Sequence, residues 1–397
     1  MNAHLPCLAL ALALLPAAGA ARADAVTDWN QKAGEIVVAA GLATPPANRV
    51  MALTHTAAFE AAQAAAQRLP SAPASMEAAI AAAHRVTLAA LLPLEQAAVD
   101  SAYRNAMARI ADGAARDAGL AVGEAAARAL LARRAKDGAD AAENYRPFTT
   151  PGRYVPTAIP VAPQWPQRQP WLMSSPSQFR PGPPPALDSA RWARDYNEIR
   201  SLGRRDSPQR SAEQGAIARF WETTAPPIYH GVVRSVAGQP GRELLRNARL
   251  FMAVTQGIDD AMIAVFDAKY HHAFWRPITA IRNGDIDGND ATPRDPSWTP
   301  LIATPMHPEY PCAHCIQAGV VGSILRAELA RAAPVALATT SATADGRERR
   351  WPGVDAFMHE VADARVWGGV HYRFSTEAGL EMGQRIGTLA VQRWLAD

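Results

Sequence analysis

Apolar residues recur at helical spacing along most of the chain, and prolines separate the apolar stretches from one another. Few runs of β-branched residues compete with this pattern, so strands are not expected to form the core. The predicted helices cover residues 46–68, 75–91, 95–111, 115–134, 189–202, 211–221, 242–270, 312–332, 354–366 and 376–395. A small polar loop is predicted over residues 339–347. The pattern predicts an all-α fold of two helical bundles.

A proline-rich stretch divides the two helical regions. Residues 147–185 contain 12 of the 32 prolines, together with Trp165 and Trp171, and this composition excludes regular helix. A loose linker is one interpretation, but the aromatic residues favour a long connection held against the surface. The predicted organisation is an N-terminal helical domain at 24–146, this connection at 147–186 and a C-terminal helical domain at 187–397.

The first residues have the features of a secretory signal. An apolar run over 8–18 is too short to cross a bilayer, and Ala21-Arg22-Ala23 fits a cleavage site between small residues. We therefore expect residues 1–23 to be removed and the protein to be exported to the periplasm or secreted. A buried N-terminal helix is the alternative.

Composition excludes some partners and leaves others open. Of the 397 residues, 49% are hydrophobic, and 40 basic against 37 acidic residues give a net charge of +3. This near balance gives no reason to expect nucleic acid as a partner, and no other segment is long and apolar enough to span a membrane. We expect a small-molecule substrate, and the sequence does not indicate an oligomeric state.

Three short blocks in the C-terminal half carry the candidate chemistry. The first contains Lys269 and Arg276-Pro277, whose cations are two helical turns apart and are expected to share a face near a helix end. A guanidinium offers a planar fork of donors to an oxyanion, and an ammonium adds a point charge. Two solvated surface cations are the simpler alternative.

The second and third blocks each add a histidine near a predicted helix end. In Pro311-Cys-Ala-His314 the proline opens a helix, whose free N–H groups attract an anion and whose histidine could move a proton. In the third, Gly368-Gly369 can break a helix so that Arg365 and His371 turn towards one centre. Together the blocks predict that five side chains enclose a tetrahedral oxyanion such as phosphate or vanadate, in the core of the C-terminal bundle.

The order Lys-x6-Arg-Pro, Pro-x-x-His and Arg-x5-His resembles the superfamily of vanadium-dependent haloperoxidases and type-2 phosphatidic acid phosphatases. The runs Trp-Arg-Pro, His-Pro-Glu-Tyr-Pro and Trp-Gly-Gly-Val-His are most similar to bacterial haloperoxidase-type members. The resemblance covers about the C-terminal half. It implies an all-α fold with vanadate as the expected cofactor of a haloperoxidase, and no cofactor in a phosphatase.

The resemblance also implies a role for each residue. Lys269, Arg276 and Arg365 would bind the oxyanion, with the backbone around Cys312 and Ala313 supplying further donors. His371 would be the apical residue: the vanadium ligand in a haloperoxidase, or the phosphorylated nucleophile in a phosphatase. His314 would be the acid–base residue. His307 corresponds to a pocket position that is His in bromide-oxidising members.

The chain departs from the family pattern at the second and third blocks. Cys312-Ala313 replaces the usual Ser-Gly, and a thiol is a poorer hydrogen-bond donor than a hydroxyl. A disulfide between Cys312 and Cys315 would protect both sulfurs from oxidants. Ser375 stands where many members carry an Asp that orients the apical histidine, so we expect a weaker nucleophile at His371.

Three functions remain open from the sequence. The first is an exported haloperoxidase that uses peroxide to oxidise bromide or iodide. The second is an acid phosphatase that hydrolyses phosphomonoesters through a phosphohistidine. The third is a degenerate relative or a metal-binding protein without catalysis, in which Cys312, His314 and Cys315 would bind zinc.

Overall fold

The structure is a computed structural model that describes residues 24–68, 72–330 and 334–396. Its regular secondary structure is helical apart from one small hairpin. The predicted all-α fold class is confirmed. The α-helices are α1 (Ala25–Ala39), α2 (Thr44–Arg68), α3 (Pro73–Leu91), α4 (Gln96–Met107), α5 (Ala114–Arg133), α6 (Ala190–Leu202), α7 (Ala212–Phe220), α8 (Pro227–Ala237), α9 (Leu244–His272), α10 (Pro277–Arg282), α11 (Ala313–Leu329), α12 (Val354–Trp367) and α13 (Arg373–Trp394). The predicted signal segment lies outside the described residues.

Two sets of helices pack around the long helix α9. Helices α2, α3 and α5 form one set, and α11, α12 and α13 form the other. Helix α9 contacts α2 on one side and α11 and α13 on the other, so the apolar interiors of both sets join into one core. Close approach of α13 to α11 requires Gly383, where a Cβ would lie 2.1 Å from the Ile316 carbonyl oxygen.

The proline-rich connection lies against the helices. Apart from one 3₁₀ turn at Trp165–Gln167 it has no regular structure, but buried charges anchor it. The Arg168 guanidinium donates to Asp259 of α9 and to Asp137, with all three side chains buried. Further along, Asp260 accepts the backbone N–H groups of residues 171–173. The connection is therefore held to α9 by polar contacts as well as by its aromatic residues.

The second half contains elements that the sequence pattern did not predict: helices α8 and α10 and one hairpin. The polar loop predicted over 339–347 begins inside strand β1 (Leu337–Thr340), and its residues 341–347 connect β1 to β2 (Glu348–Trp351). They pair antiparallel, with Leu337 opposite Trp351, and β1 packs on α8 at Gly231. Strands of four residues are too short to show a clear alternation in the sequence.

Candidate oxyanion-binding site

Helix α9 does not extend as far as Arg276. Lys269 lies in its last turn, the helix stops at His272, and Ala273 turns the chain with a left-handed φ of 46°. Arg276 therefore lies beyond the helix, in an extended conformation (φ −76°, ψ 152°) that the following Pro277 favours. Lys269 and Arg276 do not share a helical face, contrary to our prediction, and the turn at Ala273 separates them.

One short segment contacts both cations. The Lys269 ammonium donates to the carbonyl oxygens of Pro308 and Glu309, at 2.9 and 2.8 Å. The Arg276 Nε donates to the carbonyl oxygen of His307 at 2.9 Å, and a second guanidinium nitrogen lies 3.0 Å from the His307 Nδ1. Residues 307–309 therefore fix the positions of the two cations.

The third block turns at its glycines. Helix α12 ends at Trp367, and Gly369 has a left-handed φ of 80° and lies against the Gly203 carbonyl oxygen, where a side chain would not fit. This turn reverses the chain between Arg365, on α12, and His371, just before α13. The His371 Nε2 lies 3.4 Å from a guanidinium nitrogen of Arg276, which brings the first and third blocks into contact.

A carboxylate orients the His371 ring. Its Nδ1 lies 2.7 Å from Oε1 of Glu309, and the same oxygen accepts the backbone N–H of Tyr372 at 3.1 Å. Because a guanidinium can only donate, the Nε2 atom of His371 accepts from Arg276, and Nδ1 carries the proton that is donated to Glu309. The Nε2 lone pair is then directed at the cationic centre.

The second block begins helix α11. The Cys312 Sγ is bonded to the Cys315 Sγ, with the two Cα atoms 5.3 Å apart. The Cys312 N–H donates to the carbonyl oxygen of Ser375, so neither the thiol nor this N–H is free to bind an oxyanion. Cys312 instead caps α11, and the N–H groups of Ala313 and His314 in its first turn are the donors that this block offers.

A cavity of about 380 Å³ leads to the remaining site residues. Its lining includes His307, Ala313, His314 and Arg365, while Met262 and Phe266 of α9 contribute an apolar wall. His307 belongs both to this cavity and to the segment that holds Lys269 and Arg276. The structure therefore brings all five predicted cage residues, and His307, to one centre.

The centre has more buried positive charge than negative charge. Lys269, Arg276 and Arg365 are each at most 1% exposed. Their hydrogen bonds to described residues go to carbonyl oxygens and histidine nitrogens, and no carboxylate pairs with them. Burial lowers the pKa of Lys269 well below its usual value, and that of both arginines to about 10. An anion bound here would offset the free-energy cost of burying three cations without carboxylate partners.

The two catalytic candidates are neutral in this environment. Burial, together with Arg276 and Lys269, lowers the pKa of His371 well below 6.5. Burial and the Arg365 charge do the same to the pKa of His314. Burial raises the pKa of Glu309 to about 7, against the opposing attraction of Lys269. A neutral His371 presents a lone pair, as a ligand or a nucleophile requires.

Sequence reasoning missed Glu309 as a functional residue. In the sequence, Glu309 is only one residue of the His-Pro-Glu-Tyr-Pro run, and Ser375 in place of Asp predicts a His371 without a carboxylate partner. The structure corrects this, because Glu309 supplies the carboxylate from a segment 62 residues away. The signal in the sequence was an acidic residue four positions before the first residue of α11.

These features define a helical protein with a buried cationic centre, and comparison with known proteins shows what it is similar to. The model of the family described as "VCPO second helical-bundle domain" matches residues 249–396. No curated protein matches this sequence in a direct comparison. The match covers helices α11, α12 and α13 and most of α9, and the superfamily resemblance predicted from the three blocks is confirmed.

Solved structures extend the likeness in fold to nearly the whole chain. The crystal structure of the first bacterial vanadium-dependent iodoperoxidase aligns with a TM-score of 0.77 and 24% identity, over 93% of this chain and 95% of that one. An apo-type bacterial vanadium-dependent chloroperoxidase gives 0.70 and 19%, over 88% and 93%. A holo-type chloroperoxidase gives 0.69 and 17%, over 95% of each chain.

Two features of the described residues bear on the alternatives. No helix there is long and apolar enough to cross a bilayer. No group of three or more His, Cys, Asp or Glu side chains in the same residues is placed to hold a metal ion. The zinc alternative also required two free thiolates, but Cys312 and Cys315 are bonded to each other.

Proposed function

We propose that the protein is an exported, vanadium-dependent haloperoxidase-like enzyme that uses hydrogen peroxide to oxidise bromide or iodide. The observation that carries the proposal is the set of three buried cations without carboxylate partners, arranged around the Nε2 lone pair of His371. The fold shared with bacterial vanadium-dependent iodoperoxidase and chloroperoxidases supports it.

The residues present fit vanadate. Lys269, Arg276 and Arg365 would hold its oxygens, helped by the first N–H groups of α11, and His371 Nε2 would be the metal ligand. The Arg365 Nε is buried and has no partner among the described residues, so this donor remains for an oxyanion. Bound vanadate would supply Lewis-acid activation of peroxide.

The chain's own residues then have separate tasks. His314, neutral and in the cavity, would take up and return the peroxide proton, while His307 lines the part of the cavity that a halide would occupy. The test is to load the purified protein with vanadate, measure vanadium by elemental analysis, and assay bromide and iodide oxidation with peroxide. Stoichiometric vanadium without turnover of either halide would refute the haloperoxidase activity.

Acid phosphatase activity is the second candidate, and the Glu309 carboxylate favours it. With Nδ1 donating to this carboxylate, His371 Nε2 is oriented as a nucleophile for a phosphomonoester, and His314 could protonate the leaving group. The same preparation should be assayed on a panel of phosphomonoesters. Rapid phosphate release that vanadate inhibits, without halide oxidation, would make this the leading function.

Export is proposed on the sequence of residues 1–23 alone. The test is intact-mass measurement of the protein recovered from the periplasm or the medium after expression of the full chain. A mass that corresponds to a chain beginning after Ala23 supports export. An uncleaved chain confined to the cytoplasm overturns it.

A further inference from the structure

Four residues after His371 stands Ser375, whose side chain has no carboxylate to orient the imidazole ring. In the structure the carboxylate of another residue, Glu309, lies against the Nδ1 atom of the His371 ring. Glu309 is 0% exposed, and its Oε1 lies 2.7 Å from the His371 Nδ1. The Ser375 hydroxyl also lies beside that nitrogen, at 3.4 Å.

We propose that Glu309 is the positioning residue for His371, in place of an acidic residue at 375. Its Oε1 accepts two hydrogen bonds, from His371 and from the Tyr372 N–H, which hold the ring with its proton on Nδ1. A negative charge behind an imidazole raises the donor strength of its other nitrogen. Glu309 therefore makes His371 a better ligand or nucleophile without contacting the oxyanion itself.

Glu309 also links the apical residue to the cage. Its carbonyl oxygen accepts from Lys269, and its neighbour His307 accepts from Arg276. The backbone of this segment positions the cations, and the Glu309 side chain positions the histidine. A variant that changes only the Glu309 side chain should therefore alter the position of His371 and leave the two cations in place.

The proposal rests on the proposed function only in taking His371 as the residue that bonds to the oxyanion. The test compares the E309Q variant with wild type in binding two tetrahedral oxyanions, by calorimetry. Vanadate can bond to His371, whereas phosphate at equilibrium is held by charge and hydrogen bonds. We expect E309Q to weaken vanadate binding about 10- to 100-fold, as for other partners of metal-ligating histidines. Phosphate binding should be unchanged or tighter, because a buried negative charge has been removed.

The E309Q/S375D double variant provides a rescue. A carboxylate at 375 can reach the same nitrogen, so vanadate affinity should return to within a few-fold of wild type. E328Q is the matched control, because Glu328 is also a buried carboxylate but pairs with Arg246, away from the site. It should leave both affinities unchanged.

A second measurement does not depend on vanadate or on activity. The ¹⁵N shifts of the His371 ring, assigned with an H371Q variant, should show a neutral ring protonated on Nδ1 in the unloaded protein. The E309L variant should move the Nδ1 proton resonance of His371 upfield, because Nδ1 loses the carboxylate that accepts its hydrogen bond while Arg276 still donates to Nε2. Thermal unfolding would verify that the variant folds. Equal weakening of vanadate and phosphate binding by E309Q, or an unchanged Nδ1 proton resonance in folded E309L, would overturn the proposal. If wild type binds no vanadate, the proposed haloperoxidase function fails, and the Nδ1 proton resonance still decides the role of Glu309.

Discussion

The His314 Nε2 lies 3.1 Å from the carbonyl oxygen of Thr223. A carbonyl oxygen only accepts, so Nε2 carries the proton of the neutral ring, and Nδ1 keeps its lone pair. The lowered pKa of His314, due to burial and Arg365, keeps the ring neutral near pH 7. His314 is therefore prepared to act first as a base in the cavity it lines.

The H314Q variant should lose turnover but retain the oxyanion. The three cations and His371 remain in this variant, so vanadate or phosphate affinity should change by only a few-fold. Removal of a general acid–base group costs about 100- to 10,000-fold in rate. Parallel steady-state assays and calorimetry check this, with H359Q on the exposed part of α12 as the control. Loss of affinity as large as the loss of rate would assign His314 to binding.

The Arg168 side chain should be essential for stability although it is remote from the chemistry. It bridges Asp137 and Asp259, and the R168M variant would leave two buried carboxylates with fewer partners. Breaking a buried pair in this way costs about 3–5 kcal/mol of unfolding free energy. Urea unfolding measures the change. The R191A variant is the control, because the Arg191–Glu377 pair is about half exposed and should contribute less than about 1 kcal/mol.

The fold class, and the convergence of the three blocks on one centre, could be predicted from the sequence for a physical reason. Helical periodicity is a local property, and the three blocks keep short fixed spacings next to helix-breaking residues such as Pro277 and Gly369. What could not be predicted depends on contacts between distant segments. The partnership of Glu309 with His371 and the anchoring of Arg168 to Asp259 arise only when separate segments pack together.

Local details were less predictable than the positions of the blocks. The prediction that Lys269 and Arg276 share a helical face was wrong because Ala273 adopts a left-handed conformation, which alanine disfavours on its own. Tertiary contacts hold that turn, including the bond from the Tyr154 N–H to the Ala273 carbonyl oxygen. The proline-rich connection thus helps to shape the site, through contacts that its composition does not specify.

Thiol titration should find no free thiol in the processed chain. Cys312 and Cys315 are the only cysteines after residue 23, and their sulfurs are bonded. Denatured protein without reductant should show none, and reduced protein two. Because the closed loop is short, reduction should lower the unfolding temperature by only about 2–3 °C. Two reactive thiols in freshly isolated protein would contradict the disulfide.

Acid should destabilise the protein through a cluster of buried histidines on α2, α3 and α8. His55, His84 and His230 are at most 1% exposed, and their rings lie against one another. Burial lowers the pKa of His84 to about 4 and that of His230 to about 3, and lowers the pKa of His55 well below 6.5, with further repulsion from His84. All three are neutral in the native protein at pH 7.

The direction of the pH dependence follows from these lowered values. In the unfolded chain each histidine titrates near 6.5, so below that pH the unfolded state binds more protons than the native state. Stability should therefore fall with pH, from about 6.5 down to the native pKa values. The loss is at most about 1.4 kcal/mol per pH unit for each histidine.

Urea unfolding between pH 7 and pH 5 measures the slope. In the H84Q variant the amide can still donate to the Ile80 carbonyl oxygen. The slope of stability against pH should become shallower by the contribution of one titrating histidine. An unchanged slope would mean that other groups cause the acid sensitivity.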